Sequence, residues 1–253
     1  MSLSQQPPST AEAIHRPFDQ LLDLYVRDGL VYYRAVRAER ARLNRYVASL
    51  GAVSRATYDG WSKDQKIAFW INAYNAFVLQ AVAGAYPPRG NTIRHVPGAF
   101  DKRAHRAAGR SVTLDQIENR ILPEFRDPRV YFALGRGALG SGRLRSEAYT
   151  AERLEEQLRN QTQDVLEHQN HVKIDPLTGE LAVSPIIGWH EAEFVAAYGG
   201  SDRAAKFAER SPIERAVLAL IDPVLLPGER AYLAKGQFKV VYQEFDWALN
   251  ELK

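Results

Sequence analysis

The sequence predicts an α+β fold: a helix-rich single domain with a buried central helix and a small, mostly antiparallel sheet. Three observations carry this. The run IAFWINAYNAFVLQAVA, residues 67–83, is apolar on nearly every side and is broken only by Asn72, Asn75 and Gln80. Several other segments repeat apolar residues at helical spacing. One stretch, VKIDPLTGELAVS, reads as a hairpin about its Pro-Leu-Thr-Gly turn. No internal repeat, long low-complexity run or linker divides the chain, so residues 15–253 are expected to form one globular domain. Residues 1–14, rich in Ser, Gln and Pro at their start, are expected to be a disordered lead-in.

In chain order, FDQLLDLYV puts Phe18, Leu21, Leu22 and Tyr25 on one helical face, and Asp28-Gly29 then makes a turn. LVYYRAV leads into a second helix marked by Leu43, Tyr46, Val47 and Leu50 and expected to stop at Gly51. Ser62 and Gln65 fit a capping box that opens the central helix, and Pro87-Pro88 cannot continue it. A helix apolar all round must be buried on most sides. Asn72 and Asn75, three apart inside it, must then find hydrogen-bond partners, either in the backbone of neighbouring loops or in a polar site. The basic passage from Pro87 to Arg110, with His95 and His105, reads as a solvated loop or as a rim for phosphate or carboxylate. Thr113 and Gln116 form a second capping box, RVYFALG reads as a buried strand, and Thr150 is expected to cap a helix with Leu154, Leu158 and Val165 inward. After the hairpin come helices at Glu191–Tyr198 and Pro212–Ile221 and a strand in FKVVYQEF.

Composition sets limits on chemistry. The 253 residues are 45% hydrophobic and 25% charged, as in ordinary globular proteins. The net charge of +3 is mild, and the basic residues are mixed with acids, so no nucleic-acid partner is expected. With no cysteine there is no disulfide, thiol nucleophile or cysteine-held metal. The central run is short for a membrane span and carries two asparagines, so no transmembrane segment is expected. MSLSQQPPST shows no charged-then-apolar leader; the compartment stays open between cytoplasm and an exported state whose leader precedes this sequence.

The loop Gly135-Arg136-Gly137-Ala138-Leu139-Gly140-Ser141-Gly142 contains G-x-G-x-x-G. A dinucleotide site needs a helix starting at the third glycine, and RLRSEAYT intervenes here. There is no G-K-[ST], and Leu139 and Arg143 stand where a nucleophile elbow around Ser141 would need glycines. What remains is either a tight connection or an anion nest flanked by Arg136 and Arg143. His168 and His171 could bracket a metal only with a third ligand, which is not at hand, so no metal and no cofactor is expected. Trp189-His190-Glu191 lacks the second histidine of a zincin motif.

GLVYYRAV, AFWINAYNAFVL, AGRSVTLDQIENRIL, DPRVYFAL, SEAYTAERLEEQL and FDWALNELK together resemble the family catalogued as domain of unknown function 547, over nearly the whole chain. The resemblance implies a histidine in the segment matching IEN, another in that matching VYFAL, and cysteines in the loop that follows. Such a set is similar in logic to the thiol–imidazole site of papain-like enzymes. This chain has Asn119 and Tyr131 at the implied histidine positions, and Arg136 and Ser141 at the implied cysteine positions. A hydroxyl without a base is nearly inert at neutral pH.

The leading expectation is therefore a non-catalytic member whose degenerate site binds a small anionic ligand or a protein partner. Arg136, Ser141, Arg143, Asn119 and Tyr131 would line that site beside Asn72 and Asn75. The alternative is a hydrolase or acyl-transfer enzyme with Ser141 as nucleophile and His190, His95 or His105 as base. A purely structural domain is the third reading.

Overall fold

A computed structural model describes residues 10–253. Helix α1 (Thr10–Tyr25) buries Phe18, Leu21 and Leu22 as its spacing predicts. It also begins earlier than expected: residues 10–14 of the predicted lead-in are its first turn, held by burial of Ala11 and His15, and residues 1–9 lie outside the described residues. Strands β1 (Val26–Arg27) and β2 (Leu30–Val31) pair antiparallel across Asp28-Gly29. Both turn residues have positive φ, 50° and 82°, the requirement that favours Asp-Gly in a two-residue hairpin.

Helix α2 (Tyr33–Ala38) leads into α3 (Arg40–Ala52), which runs through Gly51 instead of stopping there. Gly51 is helical, and a Cβ on it would press on the Arg106 backbone at 3.2 Å, so close packing explains this glycine better than a stop signal does. After the short α4 (Arg55–Asp59) comes α5 (Lys63–Ala85), opened by the Ser62–Gln65 capping box. From Ile67 to Leu79 every residue of α5 is buried, against α1, α2, α3 and the turns of 122–133. By length and composition α5 could cross a bilayer, but 89% of its apolar window is buried within the fold. It is the core helix.

The asparagines of α5 join it to the loops. Asn72 donates from Nδ2 to the Tyr149 carbonyl at 2.8 Å and accepts the Tyr149 N–H at 2.9 Å. Asn75 donates to the Ala133 carbonyl at 3.0 Å and accepts the Gly135 N–H at 2.8 Å. Each side chain thus completes a loop backbone as a neighbouring strand would.

The basic passage after α5 contains two 3₁₀ turns and then a hairpin of β3 (His105–Ala107) and β4 (Arg110–Val112). Thr113 and Gln116 do form a capping box, on α6 (Leu114–Gln116), which passes into a π-helical turn over Ile117–Ile121. The predicted strand RVYFAL is instead a 3₁₀ helix, Pro128–Ala133, started by Asp127 accepting the Arg129 N–H. A short apolar run does not distinguish buried strand from buried helix, and among the described residues no strand lies beside it to complete a ladder. Thr150 does not cap α7 (Leu154–Glu167): its N–H goes to the Gln157 side chain, and a turn over residues 151–153 precedes the helix.

Strands β5 (Val172–Asp175) and β6 (Glu180–Val183) make the expected hairpin. Then follow α8 (Pro185–Trp189), α9 (Glu191–Tyr198), α10 (Asp202–Ala205), α11 (Pro212–Ile221), α12 (Pro227–Ala234) and β7 (Lys239–Tyr242), which joins β6 in parallel. One hydrophobic cluster extends from Ala11 to Leu249. The C-terminal tail crosses the glycine-rich loop, the Ala248 carbonyl accepting from Leu139 N–H at 2.9 Å and that of Asp246 from Gly140 N–H at 2.8 Å.

That loop is glycine-rich because the backbone has to pass close to other atoms. A Cβ on Gly142 would lie 2.0 Å from the Phe132 carbonyl oxygen and 2.9 Å from the Gln161 amide. Gly142→Ala is expected to destabilise the protein by about 3 kcal/mol or more. Gly84→Ala, on an exposed α5 position with nothing within 4 Å, is expected to stabilise by about 0.5–1 kcal/mol. Urea midpoints at unchanged slope measure both.

Candidate functional site

Leu114, Ile117, Ile121 and Leu122 repeat at helical spacing, and Glu118 stands on the same inward face. The π-helical turn delivers its carboxylate into the core, where it is 8% exposed. Oε2 accepts the Tyr74 hydroxyl of α5 at 2.8 Å. Oε1 accepts from Arg136 Nη2 in a close ion pair, from Arg136 Nε at 3.2 Å and from His190 Nε2 at 3.1 Å. An ionised carboxylate only accepts, so His190 carries its proton on Nε2 here.

Arg136 is fully buried in the glycine-rich loop, at a φ of 26° that side-chain-bearing residues rarely adopt. Its Nη1 donates to the carbonyls of Tyr131 at 3.1 Å and Leu134 at 3.3 Å. The guanidinium is therefore occupied on both arms. Burial alone would raise the Glu118 carboxyl, but Arg136 and the hydrogen bonds from His190 and Arg136 more than offset this and hold it at about 2. Tyr131 stacks on His190 with ring centroids 3.5 Å apart and planes 3° apart, fixing the imidazole over the carboxylate. Its own hydroxyl, pushed up by burial, donates to Glu193 at 3.4 Å.

A cleft of about 360 Å³ opens above this pair, lined by Phe100, Asp115, Glu118, Asn119, Arg136, Trp189, His190 and Trp247. Trp189 comes from the end of α8, and Trp247 from the tail that pairs with the glycine-rich loop. The structure thus gathers Asn119, Tyr131, Arg136 and His190 of the predicted set around Glu118. It does not bring Asn72, Asn75, Ser141 or Arg143 there. The two asparagines are spent on loop backbone. Ser141 and Arg143 border a separate cavity of about 320 Å³ with Asp28, Asp164, His168 and His171.

Ser141 is buried and its hydroxyl has no hydrogen-bond partner among the described residues. None of the bases proposed for it is at hand. His190 serves Glu118, His95 Nδ1 bonds the Arg89 carbonyl at 2.8 Å, and His105 stacks on Phe77 at 4.0 Å. The two arginines expected to draw an anion each have an acidic partner. Arg136 is neutralised by Glu118, and Arg143 lies 3.6 Å from Asp164 in a cavity bordered by three aspartates. Among the described residues no three His, Asp or Glu side chains come together to hold a metal ion. The residues that sequence reasoning missed are Glu118, Asp115, Tyr74, Trp189 and Trp247. For Glu118 the signal was present, as a lone acid on an apolar stripe.

Two outcomes test the buried pair. Arg136→Met strands the Glu118 carboxylate and is expected to cost about 3–5 kcal/mol, while Glu118→Gln with Arg136→Met recovers most of that loss. Because the Glu118 carboxyl titrates lower when folded than its ordinary 4.5, its contribution is complete above pH 4.5 and is lost as pH falls toward 2. Denaturation followed between pH 6 and 2 is expected to show this loss in the native protein and not in the double variant.

No curated protein and no solved structure matches the chain. A family model does match residues 58–166, which run from α4 through the core helix, the Glu118 turn and the glycine-rich loop into α7. That segment, which holds the Glu118–Arg136 pair and both asparagine clamps, is similar to the family described as "Protein of unknown function, DUF547".

Proposed function

We propose that this chain is a non-catalytic member of its family and that the cleft over Glu118 and Arg136 binds a ligand. One observation carries the reading: the polar centre beneath the cleft is closed. Both Glu118 oxygens, both arms of Arg136 and the inward nitrogen of His190 are already bonded within the protein. A general base needs a free lone pair within reach of the proton it removes, and a nucleophile needs such a base. Of the lining groups that could accept a proton, only the Asp115 carboxylate and Nδ1 of His190 keep free lone pairs, and among the described residues no hydroxyl, thiol or amine lines the cleft for them to activate. What the cleft does offer is aromatic walls and a few fixed polar groups, the makeup of a binding pocket. The pair underneath is a rigid floor, fixed by charge-assisted hydrogen bonds in a water-poor setting.

An enzyme built on Ser141 is the competing reading, and it has one supporting feature: the unpartnered hydroxyl borders the same cavity as His168 and His171. Burial, with His168 and Arg143 acting the same way, pushes the His171 imidazole down to about 4. It is then uncharged but a weak base at neutral pH, poorly matched to a serine proton.

Labelling with a broad serine-reactive fluorophosphonate, mapped by mass spectrometry, separates the two. The non-catalytic reading expects no modification of Ser141 in the folded protein. Selective modification there, lost in Ser141→Ala, would overturn it.

A further inference from the structure

We propose that the cleft above Glu118 takes a small organic ammonium ion, held by Asp115 against the faces of Trp189 and Trp247. The inference rests on the reading of the cleft as a binding site and adds the charge of the guest.

Among the described residues, Asp115 is the one charged group lining the cleft that is left without a partner. Its carboxylate makes no hydrogen bond or ion pair with any described residue, whereas Glu118 and Arg136 neutralise each other. Its surroundings oppose the charge: the carboxyl is raised first by burial and then by Glu118 and Asp101, with no cation offsetting them. A half-buried carboxylate in that position favours any guest that brings positive charge.

The walls favour the same guest. Trp189 and Trp247 lie with ring centroids 6.2 Å apart and planes 21° apart, and Phe100 meets Trp247 at 6.0 Å and 75°. Phe245 backs both indoles, at 4.9 and 4.4 Å. Trp189 is 47% exposed, so part of its surface is free. Indole faces carry negative quadrupole density and attract ammonium groups. In this protein they already do so with resident cations: the Arg136 guanidinium lies 5.7 Å from the Trp189 ring, and that of Arg94, which does not line the cleft, lies 5.5 Å from Trp247.

An anion would face an unpaired carboxylate and two π faces, with the only lining cation already committed. A neutral guest would cover Asp115 without compensating it. A bare metal ion would find no third ligand. An alkylammonium ion pairs with Asp115 and lays its methyl or methylene groups on the indoles.

Three probes of one shape decide the matter by tryptophan fluorescence titration at constant ionic strength: choline, its neutral isostere 3,3-dimethyl-1-butanol, and the anionic 3,3-dimethylbutanoate. Choline is expected to give a saturable change and the other two to bind at least about tenfold more weakly. Asp115→Asn is expected to weaken choline about tenfold and to remove its preference over the alcohol, while Asp101→Asn changes little. Equal binding of choline and the alcohol, preference for the anion, or equal loss in both variants would overturn the cation assignment and leave the binding cleft standing. No response to any probe in the native protein would overturn both.

Discussion

A helix buried on every side along its middle imposes one constraint on everything around it: each polar group in that stretch must be satisfied by protein, because burial without a partner costs about 1–3 kcal/mol. Helix α5 carries Asn72, Tyr74 and Asn75 inside such surroundings. Asn72 takes both backbone groups of Tyr149, and Asn75 takes one from Ala133 and one from Gly135. The two segments so fixed are the start of the glycine-rich loop and the chain ahead of α7. Tyr74 reaches one carboxylate oxygen of Glu118. These bonds to a single helix hold Glu118 and the backbone on which Arg136 sits.

Arg136 then determines what the centre can be. A guanidinium cannot lose its charge at any pH the fold survives, so its burial demands a carboxylate, and Glu118 answers. Once paired, the carboxylate still has lone pairs to satisfy, and His190 and Tyr74 take them. The network is complete, which makes it a rigid floor for the cleft. Asp115, one helical turn from Glu118 and outside the network, keeps the only uncompensated charge lining the cleft among the described residues.

Much of the fold was legible because local chemistry and tertiary demand agree. The Ser62–Gln65 and Thr113–Gln116 boxes, the Asp28-Gly29 hairpin, the β5–β6 hairpin and the apolar stripe of α7 all form where their residues predict them. The misreadings share one cause. RVYFAL, the end of α3 at Gly51 and the start of α7 at Thr150 were judged on local signals, and in each case a partner distant in sequence decided: Asp127 and the buried packing around 128–133, the Arg106 backbone against Gly51, and the Gln157 side chain. The candidate site was half legible. Asn119, Tyr131, Arg136 and His190 do meet, but Ser141 and Arg143 turn into another cavity, because the loop reverses between Arg136 and Ser141 as the tail pairs with it.

The sequence by itself determined the class of fold, the buried central helix, the need for its asparagines to be bonded, and the absence of any thiol chemistry. Those follow from composition and periodicity, which are local quantities. Only the tertiary structure decided which backbone the asparagines hold, that Arg136 is inside and paired, and that Trp189 and Trp247 line one cleft with Asp115. A charge is read from sequence as a charge, but whether it attracts a ligand depends on what already neutralises it. That partner is chosen by contacts between residues 18 or more apart in the chain.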